Sequence, residues 1–297
     1  MNKKATAFSL IELSIVILII GILIAGVTQG SRLITASKLS GARTITQSSD
    51  VHSIKDLYIW IDVTDEDLVA VGTTASSSFG NVQDGDYITT ITSKNNQLTA
   101  TYQATVSDDD YRPTYSRNAI NGLPGISFDG SDDYMDIDLS KLASTDYTIF
   151  IVEKTTDVDI VNQCILTTTG YPSYNDKSLH LCHQASGSDR VFNHYRAGQG
   201  LVYTTTRNDN VPSVQTYRFT SSKKIVRENG SEVASLTMSL TPLVTASGGN
   251  IGGHYVPTID VRYGGVLGEL IIFTRALKDR EILEVEDYLT KKWSIKY

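Results

Sequence analysis

Twenty residues near the start of the chain, Phe8 to Val27, carry a single charge, Glu12. As an α-helix this run spans about 30 Å, the hydrocarbon thickness of a bilayer. Ile, Leu and Val surround the helix without a polar stripe, which suits lipid or a closely packed bundle. Lys3 and Lys4 precede it, so the positive-inside rule keeps the N-terminus in the cytoplasm and sends the rest outward. A cleaved secretory signal would end near Ala25-Gly26. A plain signal anchor fits the length. Neither reading explains Glu12, because an ionisable group in lipid costs about 2.5–3.5 kcal/mol on insertion scales and marks a functional position by default.

A third reading accounts for the carboxylate. Lys3-Lys4, a short polar leader, Ala7 and then Phe8-Ser9-Leu10-Ile11-Glu12 resemble the prepilin leader of type IV pilins and type II secretion pseudopilins. The resemblance implies cleavage between Ala7 and Phe8 by a prepilin peptidase, methylation of the new Phe8 amine, and Glu12 as the fifth mature residue. The Phe8 ammonium and the Glu12 carboxylate would then neutralise each other between subunits, relieving a burial cost that neither could bear alone. Implied partners are other pilin or pseudopilin subunits, the peptidase/methylase and inner-membrane assembly machinery. Implied too is a single-pass precursor in a bacterial inner membrane, its head outside the cytoplasm, that passes into a pilus or pseudopilus. The family usually has Gly before the cut, where this chain has Ala7; Ala is also small, so cleavage is expected.

The 297 residues hold 26 basic and 33 acidic side chains, a net charge of −7, or −9 once Lys3 and Lys4 leave with the leader. That balance argues against a nucleic-acid partner. Ser, Thr and Tyr are plentiful and charges sparse, the composition of an extracellular β-rich surface. The expected organisation is a leader over 1–7, a helix over 8–50 that spans the membrane at 8–27, a linker over 51–56, and a head over 57–297. Within 28–50, Leu33, Ile34, Leu39 and Ile45 predict a helix with one buried side. Leu57-Tyr58-Ile59-Trp60-Ile61-Asp62 predicts a strand, and the stretch from there to Arg117 predicts loops. The acidic triplet Asp108-Asp109-Asp110 could hold calcium, but a triplet alone does not fix several oxygens around one point, so a solvated loop is expected and no cofactor is assigned.

In the head, Asn121-Gly122-Leu123-Pro124-Gly125-Ile126-Ser127-Phe128-Asp129-Gly130-Ser131-Asp132-Asp133-Tyr134-Met135 gives a short strand and a turn, and Tyr147-Thr148-Ile149-Phe150-Ile151-Val152 a core strand. Asn229-Gly230 suits a type I′ hairpin turn. Gly268 to Leu277 reads as a closing strand, and a helix over Lys278–Lys292 carries Ile282, Leu283, Val285 and Leu289 at helical spacing, to pack on the head. In this order the segments resemble the laminin-G-like, concanavalin A-type β-sandwich. The fold class is therefore α+β: a long N-terminal apolar helix, an all-β concanavalin A-like sandwich (jelly roll), and a short C-terminal helix.

Cys164 and Cys182 lie symmetrically about residue 173, inside the turn Gly170 to Asp176. In a hairpin about that turn they face each other, and outside the cytoplasm a disulfide is the first choice, contributing about 3 kcal/mol. Two separate buried thiols are the alternative. A metal site from His180, Cys182 and His183 fits poorly, because on a strand His183 points away from the other two. No Glu begins the Glu-x-Asp-x-x-Glu pattern of sandwich glucanases, and no Gly-x-Ser-x-Gly elbow or phosphate loop occurs. The cluster Glu284-x-Glu286-Asp287 is expected on a solvated helix face. The chain is thus expected to be a non-enzymatic, pilin-like and minor subunit. Its lectin-like head would meet a glycan or surface protein; a structural head or secretion pseudopilin is the alternative, and a membrane-anchored hydrolase a third class.

Overall fold

A computed structural model describes residues 10–156, 163–168, 179–186, 189–195, 200–205, 210–240, 242–243, 248–253, 255–256, 259–260 and 262–296. Helix α1, Leu10–Gln47, runs unbroken through Gly26, Gly30 and Gly41. Its inner hydroxyls are satisfied within the helix: Ser14 Oγ donates to the Ile11 carbonyl at 2.8 Å, and Thr28 Oγ1 to that of Ile24 at 3.0 Å. This lets polar side chains sit in an apolar environment. The expected buried side of the outer half is shorter than the spacing suggested. Leu33 and Ile34 are 71% and 61% exposed; Thr35 and Leu39 are half-buried, and Ala42 and Thr46 are buried. Only these last turns bury side chains against the head, which is why apolar spacing further up the helix finds no neighbour. After α1, the 3-10 turn Asp50–Ser53 buries Val51, and Ile54 is buried next to it.

The described residues of the head form two large antiparallel sheets and a two-stranded ribbon, Tyr255–Val256 with Ile259–Asp260. The first orders its strands Ser231–Thr237, Lys223–Glu228, Ser213–Phe219, Tyr147–Thr155, Gly264–Phe273, Leu123–Asp129 and Thr114–Ile120, and Leu57–Asp62 also pairs with Gly264–Phe273. The second runs Leu201–Thr205, Asp189–Tyr195, His180–Ser186, Gln163–Thr168, Gly249–Ile251, Met135–Ile137, Gln103–Thr105, Ile88–Thr92, Val69–Thr73 and Ser76–Phe79. Several of these strands lie in the region expected to be loops. Ser76–Phe79 is exposed at all four positions and its Ser-rich sequence carries no apolar alternation, so it gives no strand signal; backbone pairing at the sheet edge defines it.

The strand Gly264–Phe273 is buried throughout and pairs along both edges. Leu57–Asp62, Tyr147–Thr155 and Gly264–Phe273 are buried on both faces, which is why they read as dense apolar runs. Tyr147, Ile149 and Ile151 face the core between the sheets, whereas Phe150 and Val152 face the opposite side. That opposite side is covered by the foot of α1 and by helix α2, Asp279–Trp293. The α2 side chains Ile282, Val285 and Leu289 pack as expected, but Leu283 is 52% exposed. Glu286, expected on a solvated face, is fully buried; it accepts from Thr216 Oγ1 at 2.8 Å and from Arg227 Nε at 2.9 Å. Helical spacing gives the direction of a side chain but not which strand lies opposite it.

The turn after Leu123–Asp129 closes on itself. Asp129 Oδ1 accepts from Ser131 N at 2.7 Å, and Asp133 Oδ2 accepts from Asp129 N at 3.0 Å. Asp133 is buried, and burial together with the neighbouring carboxylates of Asp129 and Asp132 pushes its carboxyl up to about 7, against the pull of Arg262.

A Cβ at Gly249 would meet the Leu139 side chain and, at 2.5 Å, the Thr167 carbonyl oxygen. Gly249→Ala is therefore expected to destabilise the chain by about 1–3 kcal/mol in urea unfolding; an unchanged midpoint would contradict this packing. Asp133 has a folded pKa above its unfolded value of about 3.9, so its contribution is present at low pH and is lost as pH rises from about 4 to about 7. Asp133→Asn should therefore gain stability over the parent across that window. Parallel pH–stability curves for the two chains would contradict the assignment.

Candidate functional site

The only charge in the described apolar part of α1 is Glu12, and Leu10 to Val27 is exposed around the whole helix. The helix is long and apolar enough to cross a membrane, and none of its most apolar window is buried by the head. The expected processing residues Ala7 and Phe8 lie outside the described residues.

At its other end α1 meets a buried polar cluster. Thr46 Oγ1 lies 3.1 Å from Tyr288 OH and 3.5 Å from Asp62 Oδ2. Arg43 Nε donates to the Thr64 carbonyl at 2.7 Å, and Lys38 Nζ to that of Asn121 at 3.3 Å. Asn121 and Gly122 form a turn with both φ positive (51° and 90°), the conformation that Asn-Gly adopts readily. From that turn Asn121 Nδ2 donates to the Trp293 carbonyl at 2.8 Å, so one loop holds both helices.

The centre of the cluster is Lys292 on α2. Its Nζ lies 2.7 Å from Asp62 Oδ1 and 2.9 Å from Glu269 Oε2, and all three side chains are at most 1% exposed. Asp62 and Glu269 are direct cross-strand partners on Leu57–Asp62 and Gly264–Phe273. Asp62 Oδ1 also accepts from Thr64 N at 3.1 Å and Thr64 Oγ1 at 2.6 Å. Glu269 accepts from Trp60 Nε1 at 2.7 Å, Trp293 Nε1 at 2.8 Å and Tyr288 OH at 2.5 Å. Burial alone would lower the Lys292 pKa, but the two carboxylates outweigh it and hold it above the ordinary lysine value. Burial would likewise raise Asp62, yet Lys292 holds it low; for Glu269 burial wins and the carboxyl is pushed up. Chemically this is one amine between two carboxylates, all three buried from solvent.

Sequence reasoning missed this cluster, whose hydrogen-bonded members are up to 242 residues apart. The available signal was a carboxylate inside each of two otherwise apolar strand runs, Asp62 and Glu269.

Cys164 and Cys182 are directly paired across adjacent strands and joined by a disulfide. His183 does not join them: it is buried against Glu153, with Nε2 2.8 Å from Oε1, and Tyr263 OH donates to Glu153 Oε2 at 2.8 Å. Asp108 Oδ1 caps the triplet's own turn, accepting from Asp110 N at 3.1 Å, while Asp109 Oδ1 accepts from Thr74 N at 2.7 Å, in the turn between Val69–Thr73 and Ser76–Phe79. Nearby, Phe79 and Tyr87 are 52% and 53% exposed, and the Arg112 guanidinium lies 4.7 Å from the centre of the Tyr87 ring.

Several solved structures are similar. Domain 4 of AbnA, a GH43 extracellular arabinanase from Geobacillus stearothermophilus in complex with arabinotriose, aligns with a TM-score of 0.49 and 14% identity, over 78% of this chain and 98% of that one. The CBM40 of Ruminococcus gnavus IT-sialidase, bound to α2,3-sialyllactose, aligns at 0.43 and 19% identity over 55% of this chain and 95% of that one. The binding domain of botulinum neurotoxin serotype G aligns at 0.43 and 13% identity over 63% and 49%. No curated protein matches the chain. The prokaryotic N-terminal methylation motif matches residues 2–28, the leader and most of the exposed apolar run. Residues 2–28 thus match a methylation motif whose part from Leu10 on lies on a helix long and apolar enough to cross a membrane.

Proposed function

We propose that this chain is a minor pilin-like subunit that assembles through α1 into a pilus and exposes a lectin-like head for adhesion. The observation that carries the assembly reading is the apolar half of α1, uncovered on every side, lying within the methylation motif and holding Glu12 as its one charge. Such a surface must be covered by lipid or by other helices. On this reading the precursor sits in the inner membrane until the prepilin peptidase cuts between Ala7 and Phe8 and methylates Phe8. Glu12 then pairs with the Phe8 ammonium of a neighbouring subunit.

The adhesive part of the proposal is supported by the head's surface. Tyr87 offers a half-exposed ring beside Arg112 and close to Asp109, with Phe79 exposed on an edge strand. An aromatic face stacks on the apolar side of a sugar ring, while arginine and carboxylate groups bond its hydroxyls. The other reading is a secretion pseudopilin or structural subunit whose head binds nothing.

Glu12→Ala should reduce incorporation into filaments by about tenfold or more, the effect of losing about 1.4 kcal/mol at each subunit contact. Quantitative blotting of sheared filaments against total membrane measures it, and normal incorporation would remove Glu12 from the assembly step. On a glycan array the detergent-solubilised chain should bind a restricted set of sugars, and Tyr87→Ala should abolish that binding. Silence across the array favours the structural head; cleavage of any arrayed polysaccharide would instead identify a hydrolase.

A further inference from the structure

Buried amine–carboxylate contacts normally remain salt bridges. The one at Lys292 has features that go beyond a bridge. We propose that Lys292 Nζ and the Asp62 carboxyl condense into an intramolecular isopeptide bond, with Glu269 as the proton carrier, so that the first strand of the head is covalently tied to helix α2.

The reacting groups are already in contact. Lys292 Nζ lies 2.7 Å from Asp62 Oδ1, and Glu269 Oε2 lies 2.9 Å from the same nitrogen. Asp62 and Glu269 are fixed side by side by strand register, so Lys292, descending from α2, meets both at once. The site is closed to solvent: Lys292 and Glu269 are 0% exposed and Asp62 is 1% exposed, roofed by Trp60, Trp293 and Tyr288.

The step balances without any further reagent. Lys292 rests as an ammonium and passes one proton to Glu269, whose carboxyl burial makes a better base than an exposed one. The freed lone pair attacks Asp62 Cγ. The Thr64 N–H and hydroxyl, 3.1 and 2.6 Å from Oδ1, hold the charge that develops on the carboxyl oxygen. The nitrogen gives up a second proton, one carboxyl C–O bond breaks, and that oxygen leaves as water carrying both protons, one of them returned by Glu269. One ammonium and one carboxylate become one neutral amide and one water, and nothing is oxidised or reduced. In water amide formation is unfavourable. Here fixed proximity supplies effective molarities of about 10⁵–10⁸ M, and the product removes two charges from a site where charge is poorly solvated. The reaction runs once per molecule, so a slow proton hand-off is sufficient.

The bond would close a loop of 230 residues around almost the whole head. It would also sit one hydroxyl away from the foot of α1, where Thr46 touches Tyr288.

Peptide mass mapping of the full chain, purified from membranes, denatured and reduced, decides the matter. The expected result is a branched tryptic species in which the peptide from Asp56 to Lys94 carries the peptide from Lys292 to Lys296, with the mass of their sum less one water and no cleavage after Lys292. Fragmentation should place the link at Asp62. Separate peptides of unmodified mass, with trypsin cutting after Lys292, would overturn the proposal, as would a link mapped to Glu269. Glu269→Gln keeps both reacting groups but removes the proton carrier, so it should yield the uncrosslinked peptides; a branched species persisting in that variant overturns the role given to Glu269. If that variant does not fold, the parent chain's map alone gives the answer.

Discussion

One buried ammonium between two buried carboxylates decides how the long helix meets the head. Charges taken out of water are expensive, and their mutual attraction offsets that only when every remaining donor and acceptor is used. That condition is met here. Two indole N–H groups and a tyrosine hydroxyl serve Glu269, Thr64 serves Asp62 twice, and Lys292 spans both carboxylates. The donors come from the first strand, α2 and the segment after Asp62, so the cluster is complete only when all are seated. Tyr288 then offers its oxygen to Thr46, and the foot of α1 gains a defined place.

The central strand prepares that site. Gly264–Phe273 changes register between Leu267 and Glu269, a bulge centred on Gly268. A Cβ at Gly268 would lie 2.9 Å from the Trp293 ring, so glycine lets the indole lie close on the strand and reach Glu269. A bulge re-aims the side chain next to it; here that side chain is the carboxylate. The sheet can hold this polar group because its outer face, with Trp60, Phe150 and Phe273, is covered by Val285 and Leu289 of α2.

Much of the fold was legible. The strands Leu57–Asp62, Tyr147–Thr155 and Gly264–Phe273 are dense in β-branched and aromatic residues because both faces of their sheet are buried. The facing cysteines were readable from the symmetry of a hairpin. The strands between Val69 and Thr105 were not, since they are short and partly exposed, and carry Ser and Thr where a periodic apolar signal would stand. Leu33, Ile34 and Leu283 follow helical spacing yet face outward, because spacing marks a side and not its neighbour. Glu286 and the Lys292 cluster depend on contacts across long sequence separations, which no local pattern encodes.

The position of the cluster matters as much as its chemistry. Chain order carries α1 through the buried turn at Val51 straight into Leu57–Asp62. Hydrogen bonds to Gly264–Phe273 hold the strand along one edge, and at its end Asp62 is held by Lys292 from the last helix. The first strand of the head and its last helix are thus joined directly. The disulfide lies on the second sheet and braces the hairpin of Gln163–Thr168 and His180–Ser186. The head thus carries two separate ties, a buried ion pair between its first strand and its last helix and a disulfide within the second sheet.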